Sequence, residues 1–266
     1  MKRAGFIISI FLLFSEIAVN QPFIPAKTVT STQLLKDFID QTITYPQHDL
    51  ESHNEGDVVF EFMVDASGNT SAYKLIKGIS REANNEALHI LQKILWQPAL
   101  QNGKPVISTQ SYTVIYNVKR YQRLLKKRPG VINLPTSLMQ DTTGRIFNIH
   151  DLEKAPVPLL DGKALSLTEI IRKELKYPEA AHSLGIQGTV KLGMIIENDG
   201  IASNIYIINS VGGGCNNETI RILQSIRWIP GIVNDQTVRT KAFFEVTFRL
   251  NENNQDKIQN QQNTGL

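Results

Sequence analysis

The chain says the same thing twice at one fixed offset. Tyr45-Pro46 returns as Tyr177-Pro178, 132 residues later (177 − 45 = 132). At that offset Gly56 returns as Gly188, Gly68 as Gly200, and Asn84-Asn85-Glu86 as Asn216-Asn217-Glu218. The run Ile90-Leu91-Gln92-x-Ile94-x-Trp96-x-Pro98 returns as Ile222-Leu223-Gln224-x-Ile226-x-Trp228-x-Pro230. The register holds without insertion from about residue 33 to 118. Solenoid repeats have periods of roughly 20–50 residues, so an offset this long marks a duplicated domain. A chain of 266 residues holds two such copies, each large enough to bury its own core.

With 41% hydrophobic and 20% charged residues the composition is that of a globular protein. A net charge of +3 gives no reason to expect nucleic acid as a partner. The cations are nevertheless clustered: Lys119, Arg120, Arg123, Lys126, Lys127 and Arg128 lie together. Such a block reads first as a solvated linker or helix surface, and second as a contact for phosphates or anionic headgroups. The single cysteine, Cys215, excludes an intrachain disulfide framework and a thiolate metal cluster. Lys2-Arg3 followed by the apolar run Ala4–Phe14 reads as a signal peptide or N-terminal anchor over 1–22. The run itself is shorter than the roughly 20 residues that span a bilayer.

Within each copy the hydrophobic pattern switches period. Leu34, Leu35, Phe38 and Ile39 recur at helical spacing, as do Leu167, Ile170, Ile171 and Leu175. Val58, Phe60, Phe62 and Val64 then alternate, like Val190, Leu192, Met194 and Ile196, which marks a strand with one face on a core. The strand ends at Asp65-Ala66-Ser67-Gly68 or Glu197-Asn198-Asp199-Gly200, where glycine suits a tight hairpin. A second strand follows, over 72–77 and 204–209. A helix is expected over about 84–95 and 216–227, with Trp96 and Trp228 at its end and Pro98 and Pro230 stopping it. A third strand alternates through Tyr112, Val114, Tyr116 and through Phe244, Val246, Phe248. The fold class is α+β: two copies of a three-stranded antiparallel sheet with two helices. A right-handed crossover places strand three beside strand one, giving the order 2-1-3 with strand three at an edge. The domain limits are 30–118 and 165–250, joined by a basic, proline-containing linker over 119–164. The Asn/Gln-rich tail 251–266 reads as disordered.

Candidate chemistry fails the test of repetition. His48 and His53 have Ala180 and Gly185 at the matching positions, and Gly212-Gly213-Gly214 faces Ser80-Arg81-Glu82. Glu86 and Glu218 do match, and fit the first turn of a helix, where a carboxylate favours the macrodipole. No serine-hydrolase, metalloprotease or phosphate-loop motif is present. The expectation is therefore no catalytic residue, no metal and no cofactor.

The Tyr-Pro motif, the alternating strand, the Gly turn, the helix before Trp-x-Pro and the last alternating strand together resemble the C-terminal domain of TonB, the energy transducer of Gram-negative envelopes. The resemblance covers 33–118 and 165–250. It implies a periplasmic domain that binds the "TonB box" of outer-membrane receptors, added as a strand to the edge made by strand three. Carried to this chain, the contacts are Thr113, Ile115 and Asn117 in the first copy and Phe243, Glu245, Thr247 and Arg249 in the second. Tyr45-Pro46 and Tyr177-Pro178 lie nearby. Implied partners are outer-membrane TonB-dependent receptors or other envelope proteins, bound by strand addition. Two other readings stay open: a membrane-anchored transducer working with inner-membrane proton-channel partners, and a homodimer paired through edge strands. The short apolar run and the lack of a long Pro-rich spacer depart from the transducers of the family.

Overall fold

A computed structural model describes residues 23–126, 128 and 138–250. The expectations for 1–22 and for 251–266 lie outside these residues. The first copy comprises helices α1 (Thr32–Thr42) and α2 (Gln47–Glu51), strands β1 (Gly56–Val64) and β2 (Thr70–Lys77), helix α3 (Arg81–Lys93) and strand β3 (Ser108–Tyr116). Ser31 starts α1 by accepting from the Leu34 amide, and Leu35, Phe38 and Ile39 are its buried face. Asp65 closes the β1–β2 hairpin by accepting from the Ser67 and Asn69 amides at 2.8 and 2.9 Å. Gly68 completes that turn at φ +87°, and a Cβ there would lie 2.2 Å from the Trp96 carbonyl oxygen.

The helix before Trp-x-Pro ends earlier than expected. α3 stops at Lys93 because Ile94 is extended. Trp96-Gln97 then pairs as a short strand with Lys27-Thr28. The second copy repeats this, with Val157–Leu160 against Arg227–Ile229. The duplication therefore starts upstream of the residues whose identity reveals it.

β1 is the central strand in the order β2-β1-β3, as the crossover argument requires. β1 and β3 pair without a break from Gly56↔Tyr116 to Val64↔Ser108. A three-stranded sheet has two edges, so β2 is one as well as β3.

The connection is structured. It begins with helix α4 (Val118–Leu125), capped by Asn117. Two cations of the basic block brace α1: Arg120 pairs with Asp40, and Arg128 donates to the Asp40 and Ile43 carbonyls at the helix end. Further on, Met139–Gln140 and strand β4 (Ile146–Asn148) pair with the second copy. That copy contains α5 (Leu167–Glu174), α6 (Glu179–Ser183), β5 (Gly188–Ile196), β6 (Ala202–Asn209), α7 (Cys215–Ser225) and β7 (Gln236–Phe248), with sheet order β6-β5-β7.

Each copy buries its own core, one around Phe62, Ile90 and Tyr116, the other around Leu192, Ile222 and Phe248. The copies meet where α1 and the end of α3 pack on β6. Asn204 accepts from the Leu95 amide at 2.8 Å and donates to the Lys93 carbonyl at 2.9 Å. Arg239 joins the parts: it donates to Glu197 at 2.8 and 3.0 Å, to the Lys93 carbonyl at 2.7 Å and to the Gly144 carbonyl at 3.2 Å. Arg239 is 4% exposed and Glu197 0%. Such an ion pair is tolerated in a core only with its hydrogen bonds filled.

Candidate functional site: an open sheet edge

The two edges of the first sheet differ. β2 carries Lys74 and Lys77, and its pairing with β1 is broken by two register shifts. Ala72 there has φ +53°. Lysines and bulges are the devices by which proteins discourage edge pairing. β3 has neither. Its nine residues, Ser-Thr-Gln-Ser-Tyr-Thr-Val-Ile-Tyr, include no charge, glycine or proline. Among the described residues β3 pairs with β1 alone, so its outer N–H and C=O groups are unpaired.

A groove of about 230 Å³ runs beside β3. α1 and α4 supply its far wall through Ile39, Ile43, Tyr121 and Leu124; Tyr112 and Ile115 come from β3, and Lys36 and Arg120 stand among them. A backbone edge beside an apolar slot offers two kinds of contact at once: main-chain hydrogen bonds and a seat for a side chain.

The candidate residues fall into three groups. Thr113 and Ile115 are exposed on β3. Asn117 lies past the strand and is committed to the fold, accepting from the Arg120 amide at 2.9 Å and donating to Glu55 at 3.2 Å. Tyr45 is 4% exposed, donates its hydroxyl to the Asn54 carbonyl at 2.7 Å, and meets Tyr116 edge-on at 5.3 Å. Tyr177 makes the equivalent contacts, with the Ile186 carbonyl at 2.6 Å and the Phe248 ring at 5.6 Å. Pro46 and Pro178 open α2 and α6. In the second copy, Phe243, Glu245 and Thr247 are exposed on β7, and Arg249 is exposed past its end. Lys191 engages the first two, 2.6 Å from Glu245 and 5.1 Å from the Phe243 ring centroid, and the Thr247 and Thr189 hydroxyls lie 2.9 Å apart.

The groove wall from α1 and α4 has no signature in the sequence beyond helical periodicity. α4 enters through the basic block, which reads as a linker until its amphipathic spacing is matched to the face of α1. His53 has a local explanation: it ends α2 at φ +52°, where Gly185 stands in the second copy at φ +65°. Cys215 is buried, and burial pushes its thiol up from the ordinary value. Among the described residues no group of three His, Cys, Asp or Glu is placed to hold a metal, and no helix is long and apolar enough to cross a membrane.

The family model described as the Gram-negative bacterial TonB protein C-terminal matches the chain twice, over residues 41–118 and 173–250. Among solved structures, the chain is similar to the NMR solution structure of the Helicobacter pylori TonB C-terminal domain, residues 179–285, with 18% identity, 32% of this chain and 78% of that chain covered, and a TM-score of 0.25. No curated protein matches. The two family matches together span more than half of the chain and coincide with the two sheets, and the protein belongs to the TonB C-terminal family, a family of interaction domains associated with TonB-dependent transport, of which it carries two tandem copies.

Proposed function

We propose that the protein is a periplasmic, non-enzymatic binding protein that captures an extended segment of an envelope protein as an added strand on β3. The observation that carries this is the unguarded edge: nine uncharged residues in straight register beside an apolar groove. Its neighbour β2, of equal accessibility, is guarded. The family makes the TonB box of outer-membrane receptors the first partner to test. The contacts assigned to it are Thr113 and Ile115, with Tyr45-Pro46 supporting the groove from below. One added strand buries less than the roughly 1,200 Å² of a standard interface, so binding is expected to be weak.

The test is a titration of the full chain, labelled with ¹⁵N, with ten-residue peptides carrying receptor TonB boxes. Saturable shifts of the Ser108–Tyr116 amides are expected. Absence of saturable binding to all of them overturns the reading. The same bare edge also favours self-pairing through two β3 strands; sedimentation over a hundredfold range of concentration separates the two, since a monomer throughout removes the dimer.

A further inference from the structure

The third strand of the second copy is longer than that of the first, thirteen residues against nine, and the extra length is occupied. Met139–Gln140 pairs in parallel with Gln236–Thr237, and β4 pairs in parallel with Arg239–Lys241. We propose that an incoming partner strand adds to the first copy only, because the connecting segment of this same chain is the resident strand of the second. This rests on the strand-addition reading given above.

The resident segment is held at several points. The Asp141 amide donates to the Thr237 carbonyl at 2.9 Å, and Asn198 donates to the Asp141 carbonyl at 2.9 Å. Arg239 donates to the Gly144 carbonyl at 3.2 Å while its other nitrogens hold Glu197 and Lys93. The arginine that grips the segment is thus the one that fixes the copies together. Loosening the segment means disturbing a buried ion pair.

The first copy has none of this apparatus. Ile107 stands where the second copy has Arg239, and it is 61% exposed. Asp65 stands where the second has Glu197, and it is spent on its own hairpin turn. The downstream part of β7 differs as well. Glu245 there is bound to Lys191, whereas the matching residues of the first copy are the neutral pair Thr113 and Val59. Duplication has therefore produced one receptive edge and one that is filled upstream and charged downstream. The shared fold is used once for binding and once as a support.

Two measurements on the full chain test this. In hydrogen exchange without any ligand, the amides of Arg239–Lys241 are expected to exchange at least about tenfold more slowly than those of Ile107–Thr109, an effect of the ladder they share with β4. In the peptide titration, binding is expected at one equivalent, with shifts at Ser108–Tyr116 and none at Ala242–Phe248. Shifts at both third strands, or equal exchange at the two, overturn the division of labour and leave strand addition standing. No saturable shift anywhere overturns strand addition, and this inference with it. The variant Phe147→Pro puts a residue without an N–H into β4 and is expected to admit a second, weaker equivalent reported by Gln236–Lys241. A stoichiometry that stays at one while those amides begin to exchange quickly also overturns the proposal. If that variant does not fold, the wild-type measurements still decide.

Discussion

Glu86 and Glu218 do more than complement a helix dipole. Each reaches out of its helix to accept a backbone amide just ahead of the Tyr-Pro motif, Thr44 at 3.0 Å and Lys176 at 2.7 Å. Asn84 and Asn216 likewise accept from Ile79 at 3.0 Å and Val211 at 3.1 Å. With the tyrosine hydroxyls, these account for most polar residues kept at the repeat offset: they satisfy loop backbone that has no ladder to join. Replacing Tyr45 by Phe removes one such bond and leaves the Asn54 carbonyl without its donor. We expect a loss of about 1–3 kcal/mol, read as a lower urea midpoint, with strand addition at β3 retained. His89 tests the charge at the junction. Desolvation, and then the nearby Lys93, hold its pKa below the ordinary value. The folded state therefore binds fewer protons than the unfolded one as pH falls through the imidazole range. The stability from neutral His89 is fully present above the unfolded pKa of about 6.5 and is lost as pH falls toward the depressed folded value. Denaturation midpoints at pH 7.5 and pH 5.5 should fall toward acid, and His89→Gln should shrink that difference.

At the scale of elements, β2 shows what guarding an edge costs. Ala72 and Asn204 occupy the same bulge at φ +53° and +49°. Asparagine tolerates this backbone, and alanine does so at roughly 1 kcal/mol. Asn204 also uses its side chain, gripping the Lys93–Leu95 backbone of the first copy. Ala72→Gly is expected to raise stability by about 0.5–1 kcal/mol, measured by urea denaturation; an unchanged or lowered midpoint would show that the bulge carries no strain. In β5, Gly193 lies under the Tyr206 ring, where a Cβ would come within 2.3 Å of the ring. The first copy has Glu61 opposite Lys74 at these positions. The outer sheet faces have thus diverged, one toward charge and one toward an aromatic cover, while the inner faces have kept their alternation.

For the whole molecule, the junction decides how many units the chain behaves as. Glu197 and Arg239 are buried together, and Arg239 also binds the backbone of the first copy. Removing one partner leaves a buried charge unpaired. Glu197→Ala is therefore expected to cost about 3–5 kcal/mol and to separate one unfolding transition into two, as read by calorimetry. The junction is also one-sided. Asn204, Asp199 and Arg239 have Ala72, Ser67 and Ile107 at the matching places. The first copy consequently lacks the surface by which the second docks, and head-to-tail growth of the kind that makes filaments finds no second interface.

The sequence by itself determined the duplication, the strand and helix types, the hairpin turns and the sheet order. These follow from side-chain period, from turn residues and from chain handedness, all of which act over a few residues or one crossover. It also pointed to strand three as an edge. The ends of elements were less legible: α3 closes before Trp96 because a two-residue strand from far upstream captures that segment. Which edge is free was decided only by tertiary structure. β4 is three residues long with no marked period, and it pairs with residues some ninety positions away. Arg239 looks in sequence like any outward strand residue and is buried in the fold. Edge coverage is a non-local contact made by short pieces of backbone, and backbone hydrogen bonding carries almost no side-chain signature.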